Sequence, residues 1–399
     1  MLKFKDITSW PPKRLREICV IDPSKRELNG LELSTSVSFG MMADLSEHKR
    51  VFCPHENKEL RSVNKGGYSY FRTNDVLLAK MTPCFENGKS GIATDLKNNI
   101  GFGSTEFYVL RSNGEIDPNF LYDIISSDRF INEGKFSLVG TTGRRRLLKQ
   151  FIESFEINLP PYEEQIQITL LLQAIEQYSE QIEIQGKNIK SLWINLINEF
   201  VNEKPSFGNF LDGKELKAYS YSEATEKIMR KIDPISYGIE RIVNGENLES
   251  EDFKIRTWQK MGEGYLGPAF HVLFKPGDIL YGSRRTYLKK VAEADFEGVC
   301  ANTTYVIRAK EDILLQGLLK HIMLSDRFTR YSIGVSKGST NPYINWKDLD
   351  NFQFQIPDIE TQHEIVKVLD EIVGFIEDLK NQRLRMTVLK QILLNEIIG

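Results

Sequence analysis

Ten positions of one apolar stripe recur, flaws included, 197 residues further along the chain. Ile168, Leu171, Ile175, Tyr178, Ile182, Gln185, Ile189, Leu192, Leu196 and Glu199 advance by alternating steps of three and four, the spacing of a coiled-coil seam. Ile365, Val368, Ile372, Phe375, Leu379, Gln382, Met386, Leu389, Leu393 and Glu396 answer them one by one. Apolar matches alone would suit two unrelated amphipathic helices. The shared polar interruptions, Gln185 with Gln382 and Glu199 with Glu396, make internal duplication the better explanation.

The approach to each rod repeats at the same offset. "FEINLPPYEEQIQI" (Phe155 to Ile168) aligns with "FQFQIPDIETQHEI" (Phe352 to Ile365), each an alternating strand ended by proline and followed by acidic residues suited to a helix N-terminus. Upstream, "SSDRF" (Ser126 to Phe130) answers "LSDRF" (Leu324 to Phe328). "FYVLR" (Phe107 to Arg111) answers "TYVIR" (Thr304 to Arg308), and "FRTNDVLL" (Phe71 to Leu78) answers "FKPGDILY" (Phe274 to Tyr281). The loops between these landmarks differ in length and content. The expected organisation is a globule over 1–160, a spacer helix over 161–204, a second globule over 205–358 and a C-terminal helix over 359–399. The expected fold class is α/β.

A helix of about 36 residues is ~54 Å long at 1.5 Å per residue. Neither stripe can be buried by its own helix, so the two are expected to pair as an antiparallel coiled coil with pseudo-twofold symmetry. Ile175, Tyr178, Ile182, Gln185 and Ile189 would then face Ile372, Phe375, Leu379, Gln382 and Met386. Gln185 and Gln382, near the rod centres, would either meet as a buried register-fixing pair or remain solvated.

Composition bounds the function. The chain of 399 residues has room for two ordinary domains, and 41% apolar with 27% charged residues is a globular balance. No apolar run approaches the roughly 20 residues of a membrane span, and "MLKFKDITSWPPKRLRE" has no signal-peptide core, so a cytoplasmic protein is expected. Cys19, Cys53, Cys84 and Cys300 form no CxxC and read as reduced thiols; Cys53 and His55 make a poor metal site without a second pair nearby. The net charge of -3 is unevenly placed: segments 163–203 and 360–399 are acidic, leaving +4 on the rest. That balance permits nucleic-acid binding without requiring it.

Two similar readers on a spacer suit a bipartite target, and half-sites read from one face of B-DNA lie about one helical turn, ~34 Å, apart. Here the chain resembles the specificity subunits of type I DNA restriction–modification enzymes. The likeness is carried by "VSFGMMADLSE" (Val37 to Glu47), "NDVLLAKMTPCFENGKSGIA" (Asn74 to Ala93), "GDILYGSRR" (Gly277 to Arg285), "GVCANTTYVIR" (Gly298 to Arg308) and the "LPPYEEQ" and "IPDIETQ" segments. Their order and duplication cover nearly the whole chain. The resemblance implies two α/β target-recognition globules separated by a central helix and followed by a C-terminal one. It implies double-stranded DNA as ligand, and two methyltransferase and two restriction–translocase subunits as partners. It also implies no cofactor in this chain, with S-adenosylmethionine, ATP and Mg used by the partners. Asp358 in place of Pro161, and "TTGRRRLLKQ" in place of "GSTNPYINWK", are departures that touch half-site identity.

Basic residues following glycines are the candidate DNA contacts. Arg144, Arg145 and Arg146 lie in "TTGRRRL"; Lys337, Ser339, Thr340, Asn341 and Tyr343 lie in the corresponding "KGSTNPY". Arg284, Arg285, Lys289 and Lys290 lie in "YGSRRTYLKK", whose counterpart offers Lys80 and Lys89. Arginine can hold guanine bidentately or clamp phosphate, and phosphate takes most protein–DNA hydrogen bonds. Lys49 and Arg50, beside His48, are weaker candidates; any one of these residues could equally be solvated surface. Three strings imitate enzymes. "TNPY" lacks the second proline of an adenine-methyltransferase loop, "GKS" has Pro83 where a P-loop needs glycine, and "ELK" (Glu215 to Lys217) has no upstream partner Asp. A non-catalytic chain is expected. A defence-complex scaffold without sequence-specific binding, and a DNA-modifying enzyme with an unrecognised site, are the alternatives.

Overall fold

The computed structural model describes residues 10–47, 49–141, 143–263 and 267–398. It divides into two compact units, one built from 1–182 with 381–399 and the other from 183–380. The helices used below are α1 (Pro118–Ile125), α2 (Asp128–Phe136), α3 (Tyr162–Phe200), α4 (Gln316–Leu324), α5 (Asp326–Gly334) and α6 (Ile359–Ile398).

In the first unit, a five-stranded sheet runs in the order Cys19–Ile21, Phe107–Ser112, Val76–Ala79, Ser90–Ala93, Val51–Phe52. A four-stranded sheet runs Glu56–Glu59, Ser36–Gly40, Ile100–Gly103, Ser69–Arg72. Strand periodicity sorts the core. Val76, Leu78, Tyr108 and Leu110 pack on Phe120, Leu121 and Ile124 of α1, while Leu77, Ala79, Phe107 and Val109 pack with Phe52 and Phe71 on the opposite face. The central strands are apolar throughout because both their faces are covered.

The second unit repeats the scheme. Its sheets run Thr225–Ile228, Thr304–Ala309, Ile279–Gly282, Val291–Glu293 and Arg230–Lys231, Phe270–Phe274, Gly298–Ala301, Arg241–Val243, Gln259–Lys260. Ile279, Tyr281, Tyr305 and Ile307 face the helical layer; Leu280 and Val306 face Val272 and Phe274.

Sequence landmarks become framework contacts. Ser127 and Ser325 cap α2 and α5, each accepting from the backbone N–H of the Phe three residues on, Phe130 or Phe328, at 3.2 Å. Asp75, buried, takes two hydrogen bonds from Arg111 at 2.6 and 2.7 Å; Asp278, also buried, takes Arg308 and Arg230 at 2.6 Å each.

The stripes on α3 and α6 finish these cores. Ile168 and Leu172 share the first unit's main cluster with Leu394 and Ile397, and the α3 Glu176 meets the α6 Lys390 at 2.6 Å. Trp193 and Ile197 share the second unit's cluster with Ile365 and Leu369. Four expected seam positions are corrected: Tyr178, Gln185, Phe375 and Gln382 are exposed. Heptad spacing marks an apolar stripe but not what covers it, and here the ends of the stripe are claimed by the globules' own helices. Ile182 and Leu379 are buried, while Ile175, Ile189, Ile372 and Met386 are half-buried. Gln185 and Gln382 are thus solvated positions.

Candidate nucleic-acid interface

In the first unit, Gly40 and Ser69 both pair with Gly103, Ala79 pairs with Phe107, and the Ser69 hydroxyl donates to the Phe107 carbonyl at 3.0 Å. The loops leaving these strand ends therefore emerge together. Two of them are joined by backbone hydrogen bonds: Leu147 N–H donates to Lys80 O at 2.8 Å and Thr82 N–H to Arg145 O at 2.9 Å. The Tyr108 hydroxyl adds a bond to Leu147 O at 2.8 Å.

Residues Leu138–Thr141 and Arg144–Leu147 form a hairpin. Cross-strand pairing puts Val139 opposite Arg146 and Thr141 opposite Arg144, so these four share one face. Gly140, at φ 128°, allows the close approach of the Arg144 carbonyl. Alternation puts Arg145 on the other face, where it meets Glu86 at 2.8 Å in a partly exposed pair; Arg144 and Arg146 stay exposed.

The second unit makes the same joint with other residues. Ile344 N–H donates to Ser283 O at 2.9 Å, Arg285 N–H to Pro342 O at 2.7 Å, and the Tyr305 hydroxyl to Ile344 O at 2.7 Å. Arg284, Arg285, Thr340, Asn341 and Tyr343 are exposed there. Thus in each unit the two loops picked from sequence as separate clusters are one surface.

Several candidates are engaged by groups of the chain itself. Lys80 is 7% exposed, bonded to Thr105 O at 3.1 Å and 4.6 Å from the Tyr108 ring centre; burial lowers its pKa. Lys289 pairs with Asp326 at 2.6 Å and with Glu251 at 3.5 Å, and Lys290 donates to Gly245 O. Lys337 is exposed but pairs with Asp348 at 3.2 Å, and Lys89 is half-buried. Arg50 lies between Asp123, at 2.6 Å, and Glu176, at 3.0 Å, over the Tyr122 ring. It bonds the globule to α3 instead of facing outward. Lys49 is exposed; His48 and Thr142 lie outside the described residues.

The enzyme-like strings have structural roles. Pro342 and Tyr343 of "TNPY" supply backbone bonds to Arg285 and Lys337, Ser90 of "GKS" opens a core strand, and Lys217 of "ELK" pairs with Ile356 in a two-stranded ribbon. Sequence reasoning missed Lys65, Gly66 and Tyr68, in the loop that leads to Ser69 at the same edge; Lys65 and Gly66 are exposed. A lysine before paired glycines and an aromatic was the available signal. The surface as a whole offers guanidinium, hydroxyl, amide and aromatic groups on a braced backbone, the side-chain set that meets phosphates and base edges. Among the described residues no helix is long and apolar enough to cross a membrane.

Comparison with known proteins identifies the family. The model of the type I restriction modification DNA specificity domain matches residues 9–192 and 224–386. The chain is 36% identical over 132 residues to the type I restriction enzyme EcoAI specificity subunit of Escherichia coli, covering 33% of this chain and 22% of that protein. It is 33% identical over 178 residues to the EcoEI specificity subunit of the same organism, covering 44% and 29%. The chain therefore spans under a third of the length of these curated relatives. Among solved structures, a chain of a type I R-M system superimposes with TM-score 0.62 at 18% identity over 97% of each chain. The type I restriction-modification system S subunit from M. genitalium gives 0.52 at 13% identity over 100% of this chain and 98% of that one. These two share the fold. The family model accounts for most of the sequence, one segment in each half, and the protein belongs to the type I restriction modification DNA specificity domain family.

Proposed function

We propose that this chain is the DNA-reading, non-catalytic specificity subunit of a type I restriction–modification complex. Each globule binds one half of an asymmetric, bipartite duplex site, and α3 and α6 set the distance between the halves. One observation carries the reading. The same pair of backbone hydrogen bonds joins the same two loops in both units, while the outward side chains differ: Arg144 and Arg146 in one, Arg284, Thr340 and Asn341 in the other. A shared brace with unlike contacts suits two readers of different sequences.

In this reading the chain docks two methyltransferase and two restriction subunits, which use S-adenosylmethionine and ATP with Mg. Leu170, Tyr178, Phe375, Leu384 and Val388, each at least 50% exposed on the long helices, are apolar surface available for such docking. The test is to map N6-methyladenine in a genome carrying this protein with its methyltransferase. A single two-part motif with unlike halves and a fixed gap is expected. Methylation without a shared motif would leave a scaffold, and methylation by this chain alone would make it an enzyme.

A further inference from the structure

Phe136, the last residue of α2, is 93% exposed. Its neighbour two positions back, Gly134, is packed so closely that a Cβ there would lie 2.4 Å from the Phe85 ring. The end of α2 is thus fixed against the 80–89 loop while the phenyl ring points into solvent. Two residues on, the hairpin begins, with its outer face formed by Val139, Thr141, Arg144 and Arg146. Val139 is 48% and Leu148 40% exposed, so the basic hairpin carries further exposed apolar side chains near its root. The hairpin's other face is held by Arg145 on Glu86 and by Leu147 on Lys80 and Tyr108, so it does not fold down to cover Phe136.

We infer that Phe136 is a stacking residue, its ring entering a base step of the duplex at the half-site of the first globule while Arg144 and Arg146 hold the flanking phosphates. Apolar wedges beside arginines are the general means of unstacking a step and bending a duplex. The inference rests on the DNA-reading function proposed above. It is asymmetric in position: counted from the shared caps at Ser127 and Ser325, Gly334 stands where Phe136 does, so the second globule has no ring at that place.

The test uses the full chain assembled with its methyltransferase, and a duplex carrying the mapped motif with 2-aminopurine placed at successive positions of both half-sites. With the wild type, fluorescence should rise at one step of the first globule's half-site, apart from the target adenines that the methyltransferase itself flips out, which Phe136→Ala should leave unchanged. Phe136→Ala should abolish that rise and weaken binding about 5- to 150-fold, the range of one base–aromatic stack; Phe136→Trp should keep both. Unchanged affinity and fluorescence in Phe136→Ala would overturn the inference. So would loss of methyltransferase assembly with DNA contacts intact, which would make the patch a protein interface. A wild-type complex that selects no motif would instead overturn the DNA-reading function itself, and this inference with it.

Discussion

Gln165 and Gln362 make the same three hydrogen bonds 197 residues apart. Gln165 Nε2 donates to the carbonyls of Pro160 and Glu115 at 2.9 and 3.0 Å, and its Oε1 accepts from Asp117 N–H at 2.8 Å. Gln362 does so with Pro357, Ile313 and Leu315 at 3.0, 2.9 and 3.0 Å. Both amides are buried, and each ties the first turn of a long helix to the segment leading into α1 or α4. Replacing Gln165 with Leu orphans three backbone groups, each worth roughly 1–3 kcal/mol when left unmet. A loss of at least about 3 kcal/mol is expected, with amide-exchange protection falling around 115–125; Gln362→Leu should do the same around 313–324. Unchanged protection in either variant would show that the motif's glutamine does not brace the helix.

Asp75 with Arg111, and Asp278 with Arg308, mark the repeat in sequence, yet both carboxylates are buried. Breaking such a pair strands a carboxylate in the core, so Arg111→Met should cost about 3–5 kcal/mol in urea unfolding. Adding Asp75→Leu should return most of it. The salt dependence of DNA binding should stay as in the wild type, since neither residue reaches a phosphate. A single variant with wild-type stability would contradict the internal role.

Arg144 and Arg146 are expected to behave differently from Lys289 although all four basic clusters read alike in sequence. Each exposed arginine that meets a phosphate adds about 0.9 to the slope of log affinity against log salt. Arg144→Ala with Arg146→Ala should therefore flatten that slope by about 2 and weaken the first half-site only. Lys289→Ala should leave the slope alone and loosen the packing of α5 through Asp326. Equal slopes for the arginine variant and the wild type would remove the hairpin from the interface.

What was legible in the sequence follows from what is local. Strand alternation, caps such as Ser127, and the duplicated stripe depend on neighbours a few residues away, so they showed as patterns. The fate of a basic residue depends on acids far along the chain. Lys289 is neutralised by Asp326 and Glu251, Arg50 by Asp123 and Glu176, and Arg145 by Glu86. Nothing beside them in sequence separates them from the exposed Arg144 or Arg284. Four seam positions came out exposed for a related reason: Tyr178 and Phe375 have the right spacing, but spacing alone does not report which part of a stripe is covered.

His321 makes part of this frame sensitive to pH. It lies 1% exposed between Trp193, whose Nε1–H donates to His321 Nδ1 at 3.2 Å, and Asp370, 3.3 Å from Nε2. Burial, opposed in part by Asp370 and aided by Lys320, lowers its pKa from 6.5 to about 4. The hydrogen bonds agree with that direction: a second ring proton on Nδ1 would point at the indole N–H. Between pH 6.5 and 4 the unfolded chain binds the proton that the folded chain refuses, so stability present at neutral pH is lost as pH falls across that window, by about 3 kcal/mol in all. Asp370 is held below its ordinary range, so its own loss comes at lower pH. Urea unfolding of the second unit, followed through Trp193 emission at pH 7, 6, 5 and 4, should show this decline. His321→Gln, with no ring to protonate, should start less stable at pH 7 and decline less over the same interval. Parallel curves for the two proteins would mean that the imidazole takes up its proton equally in the folded and unfolded chain, Asp370 offsetting its burial.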